Sequence, residues 1–239
     1  MSTKPFLTAH WKNLVFFNYE VNPEILTPYL PAGTEPDFWN GKCLVSLVGF
    51  LFLDTRVKGW SFPFHQNFEE FNLRFYVKFN DASQWKRGVV FVKEIVPKRM
   101  ITAIARLLYG EQYYCYPMMH HLKENETSAD IKYGFFFNKE WNYIQVNTGR
   151  KSFSLVEDSE EAFIIEHYWG YTRHTATQTS EYRVEHPRWN ILPVKAHSMH
   201  CNIRQLYGEV FVPYFRQPSS VFVAEGSPVK VYHRKLWRF

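Results

Sequence analysis

The stretch Phe68-Glu69-Glu70-Phe71-Asn72-Leu73-Arg74-Phe75-Tyr76-Val77-Lys78-Phe79 decides how this chain folds. Phe71, Leu73, Phe75, Val77 and Phe79 share one parity; Glu70, Asn72, Arg74, Tyr76 and Lys78 share the other. A period of two belongs to an extended strand, whose side chains point alternately to its two faces. The depth of the apolar face predicts a central strand of a sheet. The second face sets a carboxylate, an amide, a guanidinium and a phenol in succession, about 7 Å apart. Two environments suit that face. Inside a closed sheet it is a polar site; in bulk water it is a solvated surface with a diagonal ion pair to a neighbour.

Working outward, strands are expected over residues 14–19, 43–53, 88–96, 131–137, 141–147, 170–180, 181–186, 192–199, 221–224 and 229–232. Asn40-Gly41 is a short hairpin signal leading into the apolar run 43–53. Residues 113–121 read as extended. Asn22-Pro23-Glu24 reads as a helix start, with a cap, a proline in the first turn and an early acid. A second helix is predicted from Pro97 through Ile101, Ile104, Ala105 and Leu108 to Gly110, with Arg106 beside its apolar stripe, where a charge needs a partner. Asp158-Ser159-Glu160-Glu161 resembles a capping box opening a helix through Phe163, Ile164 and His167. Residues 202–207 form another short helix. Strands in this number without a β-α-β rhythm exclude a parallel doubly wound sheet. The expectation is one α+β domain over residues 1–239, predominantly antiparallel β, curled, with a few short helices packed outside.

Composition narrows the function classes. With 46% hydrophobic and 21% charged residues among 239, the chain is globular. Its 22 Phe, 15 Tyr and 8 Trp suit strands and also the walls of ligand cavities. The net charge of +5 is scattered over Lys86-Arg87, Lys98-Arg99, Arg150-Lys151 and Arg234-Lys235, without a continuous stripe, so no nucleic-acid partner is expected. The run 43–53 is too short to span a bilayer and is broken by Ser46 and Gly49, so no membrane partner is expected either. Three cysteines, an odd number, and an opening Met1-Ser2-Thr3-Lys4-Pro5 without an apolar leader point to the cytoplasm.

Glu70, Asn72 and Arg74 are the leading chemical candidates. Arginine forks onto carboxylates, and a buried glutamate can be tuned for proton transfer. Metal binding has little support: His120-His121 point to opposite faces of a strand, as do members of His197-Ser198-Met199-His200-Cys201, and no His-Glu-x-x-His or Cys-x-x-Cys occurs. No metal and no cofactor are expected. Neither a Gly-x-Ser-x-Gly elbow nor a phosphate-binding glycine loop is present. Cys43 and Cys115 sit in apolar or aromatic strands and read as small core residues, and His167, within Glu166-His167-Tyr168-Trp169-Gly170-Tyr171, reads as packing.

Several motifs in order resemble the YqjF-like family of uncharacterised proteins, relatives of acetoacetate decarboxylase. They are Asn22-Pro23-Glu24-Ile25-Leu26-Thr27-Pro28-Tyr29-Leu30-Pro31-Ala32-Gly33, then Phe38-Trp39-Asn40-Gly41-Lys42, Glu70-Phe71-Asn72-Leu73-Arg74-Phe75-Tyr76-Val77 and Gly88-Val89-Val90-Phe91. Ala105-Arg106-Leu107-Leu108-Tyr109, Glu166 to Tyr171 and Glu185-His186-Pro187-Arg188-Trp189 complete the series. The resemblance implies an acetoacetate-decarboxylase-like curled sheet or barrel with a pocket within, and it turns the polar face of 68–79 inward. It implies a small-molecule ligand, a carbonyl or carboxylate compound. The decarboxylase works through a Schiff-base lysine, one of a pair; here the pair falls on Tyr113-Tyr114 or Met118-Met119, neither of which supplies an amine.

The resulting site has Glu70 and Arg74 as catalytic candidates, with Asn72, Tyr76, Arg106, Tyr113, Tyr114 and His120 binding ligand. A non-catalytic carrier or sensor and a protein-interaction module are the alternatives. Oligomeric state is left open, a homo-oligomer being compatible.

Overall fold

The computed structural model describes residues 4–103 and 112–239. Its strands are β1 (Leu7–Glu20), β2 (Thr34–Pro36), β3 (Phe38–Trp39), β4 (Lys42–Val57), β5 (Phe68–Asn80), β6 (Trp85–Val96), β7 (Tyr113–Cys115) and β8 (Met118–Glu124). Then come β9 (Ser128–Phe137), β10 (Glu140–Gly149), β11 (Trp169–Thr175), β12 (Gln178–Glu185), β13 (Ile191–Leu192), β14 (Val194–His200), β15 (Ser220–Val231) and β16 (Lys235–Arg238). Helices α1 (Glu160–Ile165) and α2 (Ile203–Tyr207) are short, and Pro23–Tyr29 and Glu209–Phe211 are 3-10 turns. The architecture is the expected one, mainly antiparallel and strand-rich.

Strand β5 is central, flanked by β4 and β6, both antiparallel to it. Neighbours continue in the order β15-β1-β4-β5-β6-β11-β12, and β12 pairs back onto β15 through Val184 with Val231 and Glu185 with Lys230. The sheet therefore closes into a ring. One seam is a short parallel junction, where Trp169 and Gly170 of β11 meet Gly88 and Val89 of β6. A second sheet, β14-β10-β9-β8, lies outside.

The two parities of β5 go to different cores. Phe71, Leu73, Phe75, Val77 and Phe79 face outward and join one cluster with Ile131, Tyr133, Phe135, Ile144 and Val146 of the second sheet. Phe71 meets Phe135 edge to face at 4.9 Å. Each such side chain, removed fully from water, contributes about 1.5–3 kcal/mol. The other parity faces the inside of the ring, where Phe16, Val48, Phe50 and Val89 form a second cluster with Phe163, Ile164 and Ile165 of α1. Neither face of β5 is a water-facing surface.

Local differences from the sequence reading have physical causes. The α1 cap is Ser159, which accepts from the Ala162 amide, while Asp158 takes a positive φ of 59° ahead of it. The helix ends at Ile165, leaving His167 beyond its last turn. The segments expected at 221–224 and 229–232 are one strand, β15, which passes Gly226 at φ +83° where a side chain would strike the Trp11 carbonyl. The helix expected from Pro97 is helical over residues 99–103, and residues 104–111, including Arg106, lie outside the described residues.

A Cβ added at Gly88 would lie 2.6 Å from the Trp169 carbonyl oxygen and 2.6 Å from the Tyr171 ring, at the parallel seam. Gly88→Ala is expected to destabilise the protein by about 1–3 kcal/mol, measured as a lowered urea midpoint with unchanged slope.

Candidate functional site

Inside the ring lies a cavity of about 150 Å³, an order of magnitude above the ~10–15 Å³ that one water needs. Most of its wall is aromatic or aliphatic, and its polar groups come from adjacent strands: Glu70, Asn72 and Arg74 of β5, Glu94 of β6 and Tyr113 of β7. Glu70 is 3% exposed. Its Oε1 accepts from Asn72 Nδ2 at 2.9 Å and its Oε2 accepts from the Tyr113 hydroxyl at 3.0 Å.

A bulge on β6 gathers these groups. Leu73 pairs with Lys93 but Arg74 with Phe91, so one extra residue interrupts the ladder and reverses parity along β6. Phe91 on one side of the bulge and Glu94 on the other therefore both face the cavity, opposite Arg74 and Asn72. Lys93 is sent the other way. Its ammonium donates to the Leu206 carbonyl and sits 4.7 Å from the Tyr114 ring, and burial pulls its pKa down. Strand β7 runs parallel to β6 with Tyr113 beside Glu94 and Tyr114 beside Ile95, so Tyr113 looks in and Tyr114 looks out. Among the described residues, no lysine lines the cavity.

Arg74 reaches deeper polar groups. Its guanidinium carbon lies 5.0 Å from the Phe16 ring centroid, and its charge opposes the rise that burial gives the Tyr76 pKa. Ser46 Oγ donates to Asn18 Oδ1 at 2.6 Å, so the 2.6 Å contact between Ser46 and Tyr76 has the phenol as donor. Asn18 Nδ2 donates to Ser220 Oγ at 2.8 Å, and Ser220 donates to Glu160. Arg74 Nε finds no hydrogen-bond partner among the described residues.

Two histidines complete the wall, and the sequence reading had assigned neither to it. His167 Nδ1 lies 2.6 Å from the Phe163 carbonyl, and its Nε2 lies 3.1 Å from Asp37 Oδ2, which also accepts from Arg87 Nε at 2.7 Å. Desolvation draws the His167 pKa down, against the pull of Asp37. Asp37 is held below the usual carboxylate range by its hydrogen bonds from His167 and Arg87, which outweigh its own partial burial. His186 stacks on Trp189 at 4.0 Å and is likewise pulled down by burial. The signal for both lay in the repeated Glu-His at Glu166-His167 and Glu185-His186, each just past a helix or strand end.

The sequence-predicted residues thus divide. Glu70, Asn72, Arg74 and Tyr113 meet at the cavity; Tyr76 is buried on the same parity and is not in the cavity wall. Tyr114 faces the outer core because β7 alternates. His120 is not in the wall: it sits on β8, its side chain 44% exposed, against Glu69 of the outward parity at 2.6 Å. Arg106 lies outside the described residues. Burial pushes the Cys43 thiol up to about 11 and the Cys201 thiol up to about 12, so neither is a ready thiolate. Among the described residues no group of three or more His, Cys, Asp or Glu is placed to hold a metal.

Known structures share this fold. The acetoacetate decarboxylase of Legionella pneumophila matches with a TM-score of 0.65 at 13% identity, over 98% of this chain and 87% of that one. The enduracididine biosynthesis enzyme MppR complexed with pyruvate matches at 0.67 and 12%, over 99% and 91%. An acetoacetate decarboxylase-like enzyme from Sphingomonas wittichii RW1 matches at 0.64 and 12%, over 99% and 94%. The fold is acetoacetate-decarboxylase-like. Residues 8–228 match the DUF2071 family, whose description is "uncharacterized conserved protein", and the chain belongs to that family. The uncharacterized protein YqjF of Bacillus subtilis is 27% identical over 105 residues, 44% of this chain and 42% of YqjF.

The Asp37 geometry makes a pH-dependent prediction. A depressed carboxylate pKa stabilises the fold above the ordinary value of 3.8 and loses that contribution as pH falls through the folded pKa. Asp37→Asn should therefore be less stable than wild type by about 1–3 kcal/mol at neutral pH. The gap should narrow in denaturant titrations carried below pH 3.8.

Proposed function

We propose that the ring cavity binds a small carbonyl or carboxylate compound, and that the protein acts on it without a Schiff base. The observation that carries this reading is the meeting of Glu70, Asn72, Arg74 and Tyr113 around one buried hollow. In this scheme Arg74 holds the ligand's negative group. A guanidinium in a largely apolar wall is suited to a carboxylate, because charge-assisted bonds strengthen where water is excluded. Glu70 moves a proton to or from the carbon beside the carbonyl, with Asn72 and Tyr113 fixing its two oxygens. MppR, of similar fold, is known complexed with pyruvate, which makes short 2-keto acids the first probes.

A non-catalytic carrier or sensor would use the same clamp without the proton transfer, and Glu70→Gln separates the two. An enzyme loses turnover of an identified substrate in this variant while keeping its affinity; turnover equal to wild type removes Glu70 from the chemistry. Arg74→Met should weaken 2-keto acid binding, measured by calorimetry, by about 1.5–3 kcal/mol, tenfold or more. Borohydride added with pyruvate should leave wild type unmodified by mass spectrometry. An adduct on Lys93, Lys98 or Lys123 would overturn the absence of amine chemistry.

A further inference from the structure

The hairpin between β4 and β5 carries three aromatic side chains into solvent: Trp60 is 75% exposed, Phe64 88% and Phe62 41%. These side chains are held out by an ordered backbone. Val57 and Trp60 exchange hydrogen bonds at 2.9 and 3.0 Å, and the His65 amide donates to the Phe62 carbonyl at 3.1 Å. The hairpin is also joined to the cavity wall. The Lys58 amide donates to the Phe6 carbonyl at 2.7 Å, and both Phe6 and Val57 line the cavity. Three exposed aromatic side chains within five residues exceed the singly scattered apolar residues of an ordinary surface.

Cations frame this tip. Arg56 and Lys58 are exposed on the hairpin itself, Lys4 lies two residues before Phe6, and Arg234 follows His233, whose ring meets Phe6 at 5.3 Å. Asp54 is the acid on the same hairpin. Trp and Phe flanked by Lys and Arg are the composition of segments that lie in a membrane interface, where rings enter the headgroup boundary and cations meet anionic lipid.

We propose that residues 56–64 dock the protein on an anionic bilayer surface, with Trp60, Phe62 and Phe64 inserted and Arg56 and Lys58 on the headgroups. A second copy of the chain is the poorer occupant. A symmetric contact sets Arg56 and Lys58 near their own equivalents, and three side chains on a turn fall short of the ~800 Å² per partner of a stable interface. The docking is a surface contact: no helix among the described residues is long and apolar enough to cross a membrane. The expectation of no membrane partner rests on the length of the run 43–53, which bears on spanning and not on surface contact. The proposal does not depend on what the cavity binds.

Co-sedimentation of the full chain with phosphatidylcholine vesicles, with and without phosphatidylserine, tests it. Binding is expected to the phosphatidylserine vesicles and to weaken with salt. The combined Trp60→Ser, Phe62→Ser and Phe64→Ser variant should lose at least about tenfold in affinity, and Arg56→Glu with Lys58→Glu should weaken binding separately. Both variants should melt like wild type, since the changed side chains are exposed. Failure of wild type to bind phosphatidylserine vesicles at low salt, or equal binding by the aromatic variant, overturns the proposal. So does sedimentation velocity without lipid that finds a wild-type dimer converted to a monomer by the aromatic variant, because the patch is then a self-association surface.

Discussion

Everything in this protein depends on β5 having both faces covered. A strand in an open sheet can leave one face to water, whereas a strand inside a closed and overlaid sheet cannot. Phe71, Leu73 and Phe75 lie under the second sheet, and Glu70, Asn72 and Tyr76 lie within the ring. Polar groups so placed must find partners, because a buried orphan costs its full desolvation. Several do, Tyr113 and Asn72 for Glu70 and Ser46 for Tyr76, while Asn72 Oδ1 and Arg74 Nε have no hydrogen-bond partner among the described residues. The polar site follows from enclosing an alternating strand.

The second constraint is the bulge between the Leu73 and Arg74 pairs. A regular β6 would keep one parity throughout and could not turn both Phe91 and Glu94 inward. The extra residue turns Glu94 toward Asn72 and carries Lys93 to the outer layer, where the Leu206 carbonyl and two tyrosine rings receive it. A one-residue irregularity thus decides whether this hollow holds a carboxylate or an amine at that position.

Much of this was legible from residues alone, and the reasons are specific. The alternation of 68–79 is a local pattern and survives in the structure with its boundaries nearly intact, as do the Asn40-Gly41 turn and the short helix expected over 202–207. Ring closure was not legible, because it rests on contacts between Val184 and Val231, far apart in sequence. The side to which a short strand turns was also hidden. Tyr113 and Tyr114 are alike in type, and the pairing of β7 with β6 decides between them. His120 looked available to a pocket because β8 continues from β7, yet the intervening Pro117 passes the chain to the other sheet. His167 and His186 escape any reading by periodicity, since a histidine beyond a helix end or in a loop gives no period to follow.

The ring is unevenly sewn. Strands β1 and β15 are matched from Leu7 with Val231 to Asn18 with Ser220, whereas the β11–β12 hairpin meets β6 through two residue pairs and β15 through two more. Free energies of partial opening follow the number of contacts that each motion breaks. Backbone pairs are few at these seams, and buried side chains hold the hairpin instead: the Lys86 ammonium of β6 meets Glu181 of β12 at 3.1 Å, and the Tyr171 hydroxyl donates to the same carboxylate at 3.2 Å. Where the ladder is short, the closure of the ring leans on this charge pair, and taking away either Lys86 or Glu181 would strand the other charge inside the wall.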